Sequence, residues 1–160
     1  MDMSSLYTKI SIFCLASFSS LSFAQSLILP APPQLAASSY VLMDAVTGEI
    51  IVKKNADQQL PPASLTKMMT AYIAEAQIES GNLALTDEAL ISEKAWRKQG
   101  SKMYIEWNSK VSINDLLHGI IIQSGNDASI AMAEHIAGDE TVFAQLMNQY
   151  ADQLGMTNTH

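Results

Sequence analysis

The apolar and polar positions along the chain divide it into a short β-rich part and a longer helical part. Tyr40–Asp44 and Glu49–Lys53 are two short, largely apolar runs that flank a loop containing Gly48, and this pattern predicts a β-hairpin. Residues 25–38, before the hairpin, include three prolines. Because proline fixes φ and removes a backbone donor, an extended linker is expected there.

A helix is predicted from residue 65 onward, because apolar residues recur there at helical spacing. These residues are Met68, Met69, Tyr72, Ile73, Ala76 and Ile78. Ser80-Gly81-Asn82 provides a stop signal. The apolar face is wide, so this helix is expected to be buried on most sides.

Most of the remaining chain is also predicted to be helical. Further helices are predicted over residues 87–98, 116–123, 128–137 and 140–154, with a short extended segment over 102–107. Ser112 is a candidate N-cap because Asp115 follows it at the capping-box spacing, and Gly138 is a candidate helix stop. Helices are therefore expected to dominate after residue 60.

Composition and charge limit the classes of function. The chain has 160 residues, of which 48% are hydrophobic, and this fits one globular domain. Its formal net charge is -7 at pH 7 and no basic patch offsets that charge. A nucleic-acid partner is therefore not expected.

The first 24 residues have the pattern of a secretory signal peptide. Met1–Lys9 carries one lysine, residues 10–23 are mostly apolar, and Ser22-Phe23-Ala24 is a small-x-small cleavage site. We expect the mature chain to begin at Gln25. An uncleaved membrane anchor is the alternative, but the apolar run is shorter than the roughly 20 residues that a spanning helix needs. The only cysteine, Cys14, lies in this segment, so a mature chain would have no disulfide, thiol nucleophile or thiolate metal site.

Ser64 and Lys67 are the strongest candidates for chemistry. They stand three positions apart at the start of the predicted helix, so their side chains lie on one helical face. A serine hydroxyl needs an adjacent base to act as a nucleophile, and lysine can be that base. The alternative is that Ser64 is only an N-cap. Against that alternative, a capping box has Glu or Gln where Lys67 stands, and the positive end of the helix dipole disfavours a cation there.

Three Ser-x-Asn triplets are candidates to complete such a site, at residues 80–82, 112–114 and 124–126. The first begins 16 residues beyond Ser64 on one predicted helix, and at that spacing it is about 24 Å away and outside the same site. The second is explained as a helix cap. The third, Ser124-Gly125-Asn126, has an ordinary alternative, a turn in which Gly125 is left-handed and the next one or two residues, Asn126 or Asp127, cap the following helix.

Together, Ser64-Leu65-Thr66-Lys67 and Ser124-Gly125-Asn126 resemble the motifs of the serine D-alanyl-D-alanine carboxypeptidases, the low-molecular-weight penicillin-binding proteins of the peptidase S11 family. The similarity covers roughly residues 38–160 and includes Tyr40–Gly48, Pro62–Thr70, Gly100–Met103, Gln123–Ala128 and Leu154–His160. It implies an α+β, β-lactamase/transpeptidase-like fold, in which a helical cluster packs on an antiparallel sheet.

The resemblance also implies roles and partners. Ser64 forms the acyl-enzyme, Lys67 accepts its proton, Ser124 relays protons toward the leaving D-alanine, and Asn126 holds the peptide amide of the substrate. The implied substrate is a peptidoglycan stem peptide ending in D-Ala-D-Ala, β-lactams are the implied covalent inhibitors, and no metal or organic cofactor is required. Members of the family are exported to the periplasm and associate with the inner membrane through a C-terminal amphipathic helix that is absent here.

The chain departs from the family pattern at its end, because the K-T-G motif does not occur before His160. Residues 39–160 are interpreted as the incomplete N-terminal part of the peptidase domain, truncated before most of the sheet strands. The isolated chain is expected to be unstable or inactive, since a hairpin edge and an apolar helix face would be exposed. A non-hydrolysing β-lactam- or peptidoglycan-binding module, or an inactive fragment, is the alternative.

Two other kinds of site are less well supported. β-Lactamases share the first motif but typically carry S-D-N and a further glutamate base, whereas this chain has Ser124-Gly125-Asn126. His118 and His135 lie on predicted apolar helices without metal-ligand spacing to acidic partners. With His160 the only other histidine, neither a Ser-His-Asp triad nor a metal site is predicted.

Overall fold

The structure, a computed structural model, describes residues 31–160, and the chain divides into two units between Gln58 and Gln59. The predicted signal peptide and residues 25–30 of the predicted linker lie outside the described residues. Residues 31–38 of that linker are exposed and form neither a helix nor a strand.

The first unit contains the predicted β-hairpin. β1 (Tyr40–Met43) pairs antiparallel with β2 (Ile50–Lys54), with a bulge near the turn. The carboxylate of Asp44 closes the turn by accepting hydrogen bonds from the backbone N–H and the hydroxyl of Thr47. These bonds lower the pKa of Asp44 below its ordinary value. The hairpin prediction is confirmed.

The second unit is mostly helical and begins with the 3-10 turn Ala63–Leu65, which leads directly into α1 (Thr66–Glu79). Its other elements are β3 (Glu88–Leu90), α2 (Glu93–Arg97), β4 (Lys110–Ser112), α3 (Ile113–Gln123), α4 (Asn126–Ala137) and α5 (Glu140–Gln153). β3 and β4 pair antiparallel as a second small sheet. The predominance of helices after residue 60 is confirmed.

α4 is the central helix of the second unit, since it packs against α1, α2, α3 and α5. Ala128, Ala131 and Ala133 are buried on it. Their short side chains let the neighbouring helices approach closely, because the distance between packed helices depends on the side chains at the contact. Larger buried residues such as Leu116 and Phe143 come from the helices around it. The candidate triplet at residues 124–126 therefore leads into the most buried helix of the unit.

The helix predicted over residues 87–98 is wrong in its first half. Glu88–Leu90 forms β3 because it pairs with β4. The helix starts only after Ser92, whose hydroxyl caps it by accepting a hydrogen bond of 3.0 Å from the N–H of Ala95. Pairing with a strand farther along the chain is not visible in local periodicity.

The extended segment predicted over residues 102–107 is also wrong. This segment forms no strand, and Tyr104 has a φ of 63°, in the left-handed region. The backbone N–H groups of Met103 and Tyr104 donate to the carboxylate of Asp127 and not to a neighbouring strand.

α1 is less buried than predicted. Its buried residues are Thr70, Ile73 and Ala74, whereas Met68 is 70% exposed and Tyr72 is 45% exposed. Its helical neighbours α3, α4 and α5 cover the face that carries Ile73. A wide apolar stripe shows which residues are able to enter a core, but not how many sides of the helix have a neighbour.

The predicted helix boundaries are confirmed where the caps are local. The hydroxyl of Ser112 accepts a hydrogen bond of 3.1 Å from the N–H of Asp115 and begins α3. Gly138, with a φ of 79°, ends α4 in the left-handed conformation. Among residues 31–160, no helix is both long enough and apolar enough to span a membrane.

We predict that Ser112→Ala lowers the free energy of unfolding by about 1 kcal/mol, because it removes the side-chain cap of α3. Asn114→Ala is the matched control. Asn114 is exposed in the same turn, and its hydrogen bonds to Leu85 and His118 use backbone atoms that the substitution keeps. Urea denaturation followed by circular dichroism measures both variants, and equal losses would contradict the capping role.

Candidate active site

Ser64 and Lys67 lie where the chain enters α1. Ser64 is exposed in the 3-10 turn that precedes the helix, and Lys67 is half-buried in the first helical turn. The Nζ atom of Lys67 lies 3.2 Å from Ser64 Oγ. The residue before the serine, Ala63, has a φ of 48°, which is uncommon for a residue with a side chain. The backbone is therefore strained next to the candidate nucleophile.

Ser124 is the second residue whose hydroxyl group contacts Lys67. It stands at the end of α3, and its Oγ lies 3.3 Å from Lys67 Nζ, across a sequence separation of 57 residues. Lys67 therefore contacts two hydroxyl groups. Among residues 31–160, no acidic side chain forms an ion pair with it. An amine placed between two hydroxyls is suited to accept a proton from one and to pass it to the other.

The turn at Ser124-Gly125-Asn126 differs from the ordinary turn considered as the alternative. Ser124 is the left-handed residue, with a φ of 52° and a ψ of 39°, whereas Gly125 has a φ of -62° and precedes α4. The N–H groups of Ser124 and Gly125 both donate to the carbonyl of Gly119. Holding serine in the left-handed region costs about 1 kcal/mol, and such strain gathers at functional sites.

The two rival triplets do not join this site. Ser80 ends α1, where its hydroxyl donates to the carbonyl of Gln77, so it lies a full helix length from Lys67. Ser112 caps α3 at the end opposite to Ser124. The distance argument against residues 80–82 and the capping explanation of residues 112–114 are both confirmed.

Asn126 is the first residue of α4, and two hydrogen bonds hold it to the loop that contains Gln99 and Ser101. Its backbone N–H donates to the carbonyl of Ser101 at 2.7 Å, and its side-chain Nδ2 donates to the carbonyl of Gln99 at 2.7 Å. Asn126 and Lys67 line one cleft of about 340 Å³. The structure thus brings the fourth candidate residue to a cleft that the candidate base also lines, whereas Ser64 and Ser124 do not line it.

Asp127 is a structural residue of this site whose main role the sequence did not reveal. It is 1% exposed. Its carboxylate accepts hydrogen bonds from the backbone N–H groups of Met103, Tyr104, Ile105 and Ala128. The only local signal is an acid in the first turn of a helix, where the dipole favours it. Its bonds to the loop are long-range and have no local signature.

The histidines take no part in this geometry. His118 is exposed on α3, where its Nδ1 lies 2.8 Å from the carbonyl of Asn114. His135 is exposed on α4, and the ring of His160 lies 3.2 Å from the side chain of Asn148. In the part of the chain that the structure describes, no group of three acidic, histidine or cysteine side chains is placed to hold a metal ion.

Comparison with known proteins points to one family. The family model described as D-alanyl-D-alanine carboxypeptidase, peptidase S11, matches residues 27–160. The D-alanyl-D-alanine carboxypeptidase DacA of Haemophilus influenzae is 46% identical over 132 residues, which are 81% of this chain and 34% of that protein. The chain spans about a third of the length of the curated relatives it matches.

Solved structures agree with this result. The crystal structure of the D-alanyl-D-alanine carboxypeptidase DacD from Francisella tularensis matches with a TM-score of 0.79 and 48% identity, over 83% of this chain and 32% of that one. Penicillin binding protein 5 from Haemophilus influenzae matches with a TM-score of 0.75 and 45% identity, over 79% of this chain and 38% of that one. The resemblance and the α+β, β-lactamase/transpeptidase-like fold expected from it are confirmed.

We predict that Asp127→Ala lowers the free energy of unfolding by about 3 kcal/mol, because it leaves backbone N–H groups without an acceptor in a buried place. Asp127→Asn keeps one carbonyl acceptor and is expected to lose less. Asp152→Ala, at an exposed position on α5, is the control. Denaturant unfolding measures all three variants, and equal losses for Asp127→Ala and Asp152→Ala would contradict the anchoring role of Asp127.

Proposed function

Because the chain belongs to the D-alanyl-D-alanine carboxypeptidase family, peptidase S11, we propose that the protein carrying it is a serine D-Ala-D-Ala carboxypeptidase. The proposed reaction removes the terminal D-alanine from a peptidoglycan stem peptide through an acyl-enzyme on Ser64. The observation that carries this proposal is the position of Lys67 Nζ, 3.2 Å from Ser64 Oγ and 3.3 Å from Ser124 Oγ. One amine contacts both the candidate nucleophile and the candidate relay.

The first proposed step is acylation. Lys67 acts as the base and takes the proton of Ser64 while Ser64 Oγ attacks the carbonyl carbon between the two D-alanines. Negative charge then develops on the carbonyl oxygen. The backbone N–H of Ser64 belongs to the start of a helix, where intrahelical bonds leave N–H groups free to stabilise an anion. Donors of this kind contribute about 3 kcal/mol to acyl transfer.

The proton then has to reach the leaving group. Ser124 can take it from Lys67 across the 3.3 Å contact and pass its own hydroxyl proton to the amine of the leaving D-alanine. The carbon–nitrogen bond breaks, and the peptide remains as an ester on Ser64. Water activated by Lys67 cleaves this ester, which returns the proton to Ser64 and releases the shortened peptide.

The same arrangement accounts for the proposed inhibition by β-lactams. Ser64 Oγ would attack the lactam carbonyl in the same way, but the leaving nitrogen stays tethered to the adduct. Asn126 would hold the amide group that precedes the reacting carbonyl in the peptide and in the drug. The relative named penicillin binding protein supports this part of the proposal.

We also propose that the protein is exported to the periplasm. The support is the sequence pattern of residues 1–24, an apolar run that ends at a small-x-small cleavage site. A cell-wall substrate agrees with that location. Association with the inner membrane through a C-terminal helix, as the resemblance implies, belongs to the same proposal.

We predict that Ser64→Ala abolishes covalent labelling by a reporter penicillin, because no oxygen remains to carry the adduct. Lys67→Ala is expected to slow acylation by roughly 10²–10⁴-fold, since it removes the base. Ser80→Ala, from the rival triplet at the far end of α1, is the control and leaves labelling unchanged. Mass spectrometry of the intact protein measures the adduct.

Release of D-alanine from a peptide ending in D-Ala-D-Ala separates the two candidate functions. A Ser64 adduct together with D-alanine release supports the carboxypeptidase. An adduct without D-alanine release supports the non-hydrolysing binding module in its place. If the longest natural form of the protein that contains this chain forms no adduct, both functions are contradicted. If only the isolated chain forms none, the inactive fragment is supported.

The export proposal predicts a mature N-terminus at Gln25. Peptide mapping of the protein purified from the producing cells would find no peptide from Met1 to Ala24, because the signal peptidase has removed it. Detection of those residues on the exported protein would contradict cleavage and favour the membrane anchor.

A further inference from the structure

We propose that Gly100 is a positioning residue that sets the orientation of the Asn126 side-chain amide. This inference rests on the proposed function, in which Asn126 holds an amide group of the substrate. Gly100 belongs to the loop of residues 99–105, called here the Asn126 loop. It has no group that is able to take part in the chemistry, so its effect acts through Asn126.

Because Gly100 has no β-carbon, the side-chain amide of Asn126 is able to occupy the space next to it. Its φ of 97° lies in the region that favours glycine, and a β-carbon added there would collide with Asn126 Nδ2. The colliding atom is the end of a side chain, so the side chain is able to move away. The backbone N–H of Asn126 is held to the carbonyl of Ser101 at 2.7 Å. A substitution at Gly100 would therefore rotate the amide and leave the helix start in place.

The Asn126 loop has little freedom to relieve such a collision. The N–H groups of Met103, Tyr104 and Ile105 are 3.0, 2.9 and 3.3 Å from the carboxylate oxygens of Asp127. Asp127 is the neighbour of Asn126 and is buried. The loop is therefore fastened on the C-terminal side of Gly100, at Ser101 and at residues 103–105. The least costly response is a change in the side-chain torsions of Asn126.

The orientation of this amide decides which of its groups face the cleft. One hydrogen of Nδ2 is used in the bond of 2.7 Å to the carbonyl of Gln99. The other hydrogen and Oδ1 are left for a ligand, since a side-chain amide has two donors and one acceptor oxygen. Displacing Nδ2 breaks the bond to Gln99 and turns both remaining groups. A ligand that needs them would lose a hydrogen bond.

Two penicillins test the inference, because only one of them carries the acylamino group that Asn126 is proposed to hold. Benzylpenicillin carries an acylamino group for Asn126 to hold, whereas 6-aminopenicillanic acid lacks it. For Gly100→Ala, in the longest natural form of the protein that contains this chain, we expect acylation of Ser64 by benzylpenicillin to slow by about 10-fold, the effect of one lost hydrogen bond. Acylation by 6-aminopenicillanic acid should change much less. Asn126→Ala should give the same pattern, and the double variant should show no further loss.

Gly81→Ala is the matched control. Gly81 has a φ of 76°, but a β-carbon there meets no atom within 4 Å. This variant carries comparable backbone strain without a collision, so it should slow neither penicillin. A Gly100→Ala variant that slows both penicillins equally, or neither, would overturn the inference.

A second measurement does not depend on acylation. The side-chain amide signals of Asn126 in a ¹⁵N-labelled protein should shift in Gly100→Ala and stay unchanged in Gly81→Ala. Unchanged signals in a folded Gly100→Ala variant would overturn the positioning role. If the wild-type protein is not acylated by either penicillin, the proposed function fails, and these signals still decide whether Gly100 orients the amide.

Discussion

The bonds of the buried Asp127 carboxylate are the constraint on which the rest of the site depends. A carboxylate is tolerated in a protein interior only where hydrogen bonds replace its water. Here three of those bonds come from backbone N–H groups of a loop that lies 22–24 residues earlier in the chain, and a fourth comes from Ala128. They join the Asn126 loop to the start of the central helix. Asn126, the neighbour of Asp127, is held next to this junction by its bonds to Ser101 and Gln99.

Several local preferences are broken at residues close to Lys67. Ala63 and Ser124 hold positive φ angles although both carry side chains. Lys67 stands in the first turn of α1, where the helix dipole disfavours a cation. The contacts of Lys67 with two hydroxyls explain its position. Consistency between local and global preferences is expected in most of a fold, and conflicts collect where function requires them.

The sequence predicts those features whose causes are local. The hairpin, the start of α3, the end of α4 and the pairing of Ser64 with Lys67 all follow from neighbours a few positions apart. β3 and the Asn126 loop have no local signature because their partners lie far along the chain. The alternative turn has Gly125 as its left-handed residue, since glycine is the usual choice. The structure places Ser124 there because the carbonyl of Gly119 accepts both N–H groups that follow α3.

The conformation of Ser124 places stability and chemistry in conflict at a single position. Glycine or asparagine would relax the left-handed backbone, but neither has a hydroxyl to contact Lys67. Selection for stability alone would therefore remove the serine, whereas selection for proton transfer would retain it. Stabilising substitutions in this protein are best sought away from this turn. Relieving the backbone strain at Ser124 requires a residue without the hydroxyl group that contacts Lys67.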